Sequence, residues 1–209
     1  MRELIHALKY ERVRPVAPKL GEFLARAIAQ LAPEAPAEML VIPVPLHRSK
    51  HTDRGFNQVR LLAEEAVACL RKHHTGWRLT LAPSTLMRLR GTGSQAGLTP
   101  RQRRLNVRGA FGVSDPAVVF GKHVLLIDDI LTTGATARAA ARALLQAGAE
   151  SVWVATLARA RRIGFCSEIS SFFRKDSSGS LLINDGQGND AASVPFQYAI
   201  MNSQNQPSI

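Results

Sequence analysis

Cysteine is nearly absent from this 209-residue chain, which has only Cys69 and Cys166. They form no Cys-x-x-Cys pair and no Cys/His cluster, so the usual spacing of a structural zinc site is missing. Cys69 lies among apolar residues in LLAEEAVACL and reads as a small buried hydrophobe. Long apolar runs are missing too. No stretch approaches the roughly 18 residues that span a bilayer. The opening MRELIHALKYERVRP has neither the apolar block nor the cleavage site of a secretory signal. A cytoplasmic protein without membrane insertion is expected. Aromatic residues make up 6% of the chain and are not interleaved with its arginines, which weakens a stacking platform for single strands.

Acidic residues are also scarce, at 16 against 27 Lys and Arg, for a net charge of +11. The imbalance is local. Residues 1–162 hold 25 basic and 12 acidic side chains (+13), and residues 163–209 hold 2 and 4 (−2). A domain this basic favours phosphate-rich small molecules or nucleic acid. The bland alternative is a solvated, arginine-rich surface.

Apolar content of 45% suits a globular domain with a core. Leu20, Phe23, Leu24, Ala27, Ile28 and Leu31 recur at helical spacing over 16–31, before Pro33 and Pro36. EMLVIPVP (38–45) reads as a buried strand, followed by a basic segment and a helix over 57–72. STLMRLR (84–90), GAFGV (109–113), HVLLID (123–128) and SVWVATLA (151–158) read as further strands. Thr99, Pro100 and Gln102 fit the start of a short helix, and a helix over 135–147 ends at Gly148. Two strand–helix–strand units, around 39–90 and 123–158, predict an α/β fold with a mainly parallel sheet flanked by helices. Residues 1–162 would form this domain. Residues 163–209, rich in Ser, Asn, Gln and Gly, read as a polar, weakly ordered C-terminal tail.

The chemistry concentrates in VLLIDDILTTGAT, residues 124–136. In a parallel sheet, ligands bind beyond the carboxyl ends of the strands. Asp128 and Asp129 fall there, and two adjacent carboxylates are costly to bury unless something satisfies them. Thr132, Thr133, Gly134, Ala135 and Thr136 then lead into a helix whose free N–H groups and dipole favour an anion. Gly134 permits close backbone approach or an unusual dihedral. Either feature alone would suit a soluble strand end or a helix cap. Together they point to a phosphorylated sugar, with the acids on ribose hydroxyls and the loop on the phosphate.

This stretch closely resembles the signature of type I phosphoribosyltransferases that binds 5-phosphoribosyl-1-pyrophosphate (PRPP). PVPLHRSKHTDRGFNQ (43–58), with Arg90, Thr92, Gln95, Leu98, Arg103, Asn106 and GAF (109–111), resembles the ComF/GntX family over roughly residues 1–160. Some of its members are linked to natural DNA uptake. The resemblance implies a type I phosphoribosyltransferase-like fold with a flexible hood over residues 88–104. It implies that Asp128 and Asp129 bind the ribose 2′ and 3′ hydroxyls and that 132–136 wrap the 5′-phosphate. Leu46, His47, Arg48 and Lys50 would form the pyrophosphate loop. Arg88, Arg90, Gln95 and Arg103 would belong to the hood, and one or two of the arginines that bracket it would neutralise leaving-group charge when it closes. Mg²⁺ would be held through the ligand rather than directly by side chains. The implied partners are PRPP or another phosphorylated ribose and, in a DNA-uptake role, single-stranded DNA and other competence proteins. No residue stands out as a general base. Family members commonly carry a cysteine-rich zinc-binding segment ahead of the stretch matching LIHALKY, and no cysteine precedes Cys69 here.

Overall fold

A computed structural model describes residues 14–46, 56–73, 76–89, 109–159, 173–175, 181–183 and 196–200. A 3-10 turn, Arg14–Val16, leads into α1 (Ala17–Ala29). Then follow β1 (Glu38–Pro43), α2 (Gln58–His73), β2 (Arg78–Leu81), β3 (Leu86–Arg88) and β4 (Phe111–Val113). A one-turn α3 (Pro116–Val119) precedes β5 (His123–Leu131), α4 (Ala135–Gln146) and β6 (Ser151–Arg159). Three short strands come last, β7 (Phe173–Lys175), β8 (Leu181–Ile183) and β9 (Phe196–Ile200).

The sheet has the order β2-β1-β5-β6-β9, and every neighbouring pair is parallel. Helices cover both faces, as an all-parallel sheet requires. The period of two along a strand sorts the core. From β5, Leu125 and Ile127 join the cluster built with α1 and α2, which includes Leu20, Leu24, Ile28, Leu62 and Val67. Val124 and Leu126 join the opposite cluster, with Ala137, Ala140, Ala141 and Leu144 of α4. Each fully buried aliphatic side chain of this size contributes about 1.5–3 kcal/mol. The four consecutive apolar residues of β5 are therefore the sheet's central anchor.

The α/β architecture expected from the sequence is what forms, with one reassignment. The strand that pairs with β1 after α2 is Arg78–Leu81, which the sequence pattern had not marked. Residues 86–88, expected within the first strand–helix–strand unit, pair antiparallel with β4 in a separate two-stranded sheet. Pro83 lies between the two strands and cannot donate to a ladder. Beyond it Leu86 buries against the α4-side cluster, whereas Leu79 of β2 buries against the α1/α2 side. The short α3 was also not foreseen. Asp115 caps it, accepting from the Ala117 amide at 2.9 Å.

At the far end of α4 the chain turns as anticipated. Gly148 takes φ +94°, its amide reaches Leu145 O at 3.0 Å, and the Ala149 amide reaches Leu144 O at 3.1 Å. These two bonds satisfy the carbonyls that the helix end would leave open. The helix expected at Thr99–Gln102 lies outside the described residues. Within the segment set apart as a tail, β7 and β8 pair antiparallel, and β9 runs parallel to β6 over Val152–Thr156.

Candidate functional site

β5 is longer than its neighbour. β1 ends at Pro43, paired with Ile127, while β5 continues to Leu131 beside β6. Asp128 and Asp129 are thus the first β5 residues past the carboxyl end of β1. They still hold strand geometry, so their side chains leave opposite faces of the sheet.

Asp129 follows Leu125 and Ile127 to the α1/α2 face and is buried. There the Gln58 side-chain amide donates from Nε2 to Asp129 Oδ2 at 3.0 Å. Gln58 is the first residue of α2, and it is buried as well. Asn57 fixes this helix start. Its Oδ1 accepts from the Val59 amide at 3.0 Å, and its Nδ2 donates to Val44 O at 3.3 Å. The first bond is an N-cap. The second ties the start of α2 to the residue after β1, and so closes the base of the loop read as the pyrophosphate loop.

Asp128 leaves on the α4 face and is half-buried. Its Oδ1 accepts from the Asp129 amide at 2.9 Å. Arg88, at the end of β3, places its guanidinium 5.4 Å from the centre of the Phe111 ring, a cation–π distance. Burial pushes the Arg88 pKa below its usual value, and the charge of Asp128 pushes it the other way. The guanidinium stays protonated in either case, because its ordinary value is so high. The charge of Asp128 thus reaches Arg88.

The hydroxyl-rich loop follows at once. Gly134 adopts φ +70°, ψ +6° and opens α4 from a left-handed conformation. A Cβ there would strain the backbone and sit 3.3 Å from the Arg138 guanidinium. Arg138 reaches back over the loop and donates to Thr133 O at 3.0 Å. Thr133 Oγ1 accepts a long bond, 3.4 Å, from the Ala135 amide. Thr132 is exposed, Thr136 is half-buried, and Ala135 is buried. The amides of the first turn of α4, the helix dipole and the Arg138 charge converge where an anion would be stabilised.

Two buried polar atoms have no hydrogen-bond partner among the described residues close to this end of the sheet, Gln58 Oε1 and Thr156 Oγ1. Thr156 pairs in register with Asp128. Each such orphan costs roughly 1–3 kcal/mol. The bond from Gln58 to a carboxylate returns about 1.5–3 kcal/mol. For Gln58 the two terms nearly cancel, so its burial makes sense only through Asp129.

The chain matches the phosphoribosyl transferase domain model over residues 79–164. It is 34% identical over 158 residues to the DNA utilization protein YhgH of Escherichia coli O157:H7, covering 75% of this chain and 66% of that protein. Competence protein F of Haemophilus influenzae is 32% identical over 121 residues, covering 57% of this chain and 50% of the relative. Competence protein ComFC of Bacillus subtilis is 35% identical over 121 residues, covering 57% and 44%. The chain belongs to the ComF family, with a type I phosphoribosyltransferase-like fold. It spans about two thirds of the length of YhgH and half or less of the competence proteins.

In this ComF-family chain the structure brings together Asp128, Asp129, the loop 132–136 and Arg88. Leu46 is half-buried just past the end of β1. His47, Arg48, Lys50, Arg90, Gln95 and Arg103 lie outside the described residues. Gln58, Asn57, Arg138 and Thr156 were not picked out from sequence as site residues. Asn57 and Gln58 end the RGFNQ stretch, which marked the family without suggesting a role. Thr156 is a polar residue inside an apolar strand and was not singled out from sequence. Among the described residues, no helix is long and apolar enough to cross a membrane.

Proposed function

We propose that this chain binds PRPP, or a closely related phosphorylated ribose, at the carboxyl end of β5. The observation that carries the proposal is continuity. An acid pair lies just past the end of the neighbouring strand, and five residues later a left-handed glycine opens a helix N-terminus. Carboxylates suit a vicinal diol, and helix amides suit a phosphate. Asp128 and Asp129 would accept from the 2′ and 3′ hydroxyls, and 132–136 would hold the 5′-phosphate.

The described residues contain no group of three or more His, Cys, Asp or Glu side chains able to hold a metal ion. Mg²⁺ would therefore be held by the ligand's own phosphates and hydroxyls, with the acid pair on the ribose rather than on the ion. When bound, it would neutralise charge on the pyrophosphate. In a transfer reaction the acceptor's bond to C1 forms as the C1–oxygen bond to pyrophosphate breaks. Positive character grows on the ribose, which the two carboxylates stabilise. The basic residues 48–54 and the hood arginines would meet the leaving group.

A second reading is a DNA-uptake protein that keeps the ligand site without the chemistry. The names of its relatives, DNA utilization protein and competence protein, favour it, as does the +13 charge of residues 1–162. Single-stranded DNA would then bind with an affinity that falls steeply as salt rises.

Calorimetric titration with PRPP, with and without Mg²⁺, tests the first reading. Wild type is expected to bind, and the Asp128→Ala/Asp129→Ala double variant to lose at least about a hundredfold in affinity, the loss of two charged hydrogen-bond acceptors. A folded wild type that gives no heat overturns the claim. Binding without pyrophosphate release across a panel of acceptor bases selects the second reading.

A further inference from the structure

We infer that Gln58 is a positioning residue for Asp129, fixing the orientation of that carboxylate in the ligand site; this deepens the PRPP reading and rests on it. The amide comes from α2, 71 residues away in sequence, and its Nε2 meets Asp129 Oδ2 at 3.0 Å. Both side chains are buried, so the bond is shielded from competing water. The amide is turned so that Nε2 faces the carboxylate while Oε1 meets no partner among the described residues. Among the described residues, its orientation follows Asp129. Asn57, one residue earlier, anchors the same helix start to Val44 at the end of β1, which keeps the donor at a set distance from β5.

The consequence is a division between the two acids. Asp128 is oriented by the backbone that follows it, on the α4 side. Asp129 is oriented by a side chain of a different element on the α2 side. A ligand hydroxyl arriving at Asp129 meets a carboxylate whose plane is already set. The entropy of ordering it is spent in folding rather than in binding.

Two substitutions test this. Gln58→Leu keeps the volume and removes the donor. It should weaken PRPP binding by roughly ten- to a hundredfold. Gln58→Glu is the sharper probe. Protonated, it is isosteric with glutamine and donates an O–H to Asp129. Ionised, it opposes Asp129 with a like charge. The affinity of Gln58→Glu, expressed as a ratio to wild type at the same pH, should be near one at about pH 5.5. It should drop at least about tenfold by about pH 8, as the shared proton leaves the pair. Thermal unfolding at each pH accompanies the titrations. A ratio flat across pH, or an unfolding midpoint that moves while PRPP affinity does not, overturns the positioning role and leaves the PRPP reading standing. No PRPP binding by folded wild type overturns both.

Discussion

At its first residue, β5 meets β6 through side chains that satisfy one another. The Ser151 hydroxyl bridges the His123 ring at 2.9 Å and the Trp153 indole N–H at 3.2 Å. Glu150 lies 3.6 Å from the other His123 nitrogen. At its last residues, the same strand carries Asp128 and Asp129 past the end of β1, with Gln58 Oε1 and Thr156 Oγ1 nearby and unpartnered among the described residues. One strand, with one apolar middle, ends in a closed polar network on one side and an open one on the other. A polar group kept in a folded protein at a cost calls for a use, and the open end also has the helix N-terminus and the left-handed glycine. The closed end holds the register of the two strands, and the open end is where the proposed ligand would bind.

Three substitutions bear on that contrast. The largest effect is expected from Ser151→Ala, which leaves the Trp153 N–H and the His123 ring without their shared partner. A loss of about 1–3 kcal/mol should appear in denaturant unfolding, with PRPP affinity unchanged. A fall in affinity would show that the two ends are coupled. Thr156→Val should act in the opposite direction. Removing a buried hydroxyl that has no partner among the described residues, at constant shape, should raise stability by about 1 kcal/mol, or about 2–4 °C in the unfolding midpoint. If stability falls, the hydroxyl has a partner in solution and this end is less open than described. The smallest effect belongs to Glu150→Gln. The carboxylate is exposed and beyond hydrogen-bond distance of His123, so stability at neutral pH should change by less than about 0.5 kcal/mol. A larger change would make Glu150 a member of the closed network.

Most of the fold was legible because its signals are local. Helical spacing around Leu20, Leu24 and Ile28, the apolar run of β5 and the glycine at 148 each act within a few residues. β2 was not legible. RLTL is four residues long at a sheet edge, and only Leu79 is buried, so its pattern is too short to separate from a loop. The stretch 84–90 showed the stronger local pattern, yet it belongs to another sheet. A strand's propensity does not carry the identity of its partner.

The site divides the same way. The acid pair, the threonines and the left-handed glycine were determined by the sequence itself, because strand, turn and helix start follow one another along a single stretch of chain. Only the tertiary structure decided which face each aspartate takes up and what meets it there. Gln58 reaches Asp129 across 71 residues, and Arg88, on a different sheet, feels the charge of Asp128. Such contacts depend on where whole elements pack, and packing is set by the burial of Leu125 and Ile127 on one face and Val124 and Leu126 on the other. The chemistry of the residues was written locally, and their pairing was a consequence of burying the core.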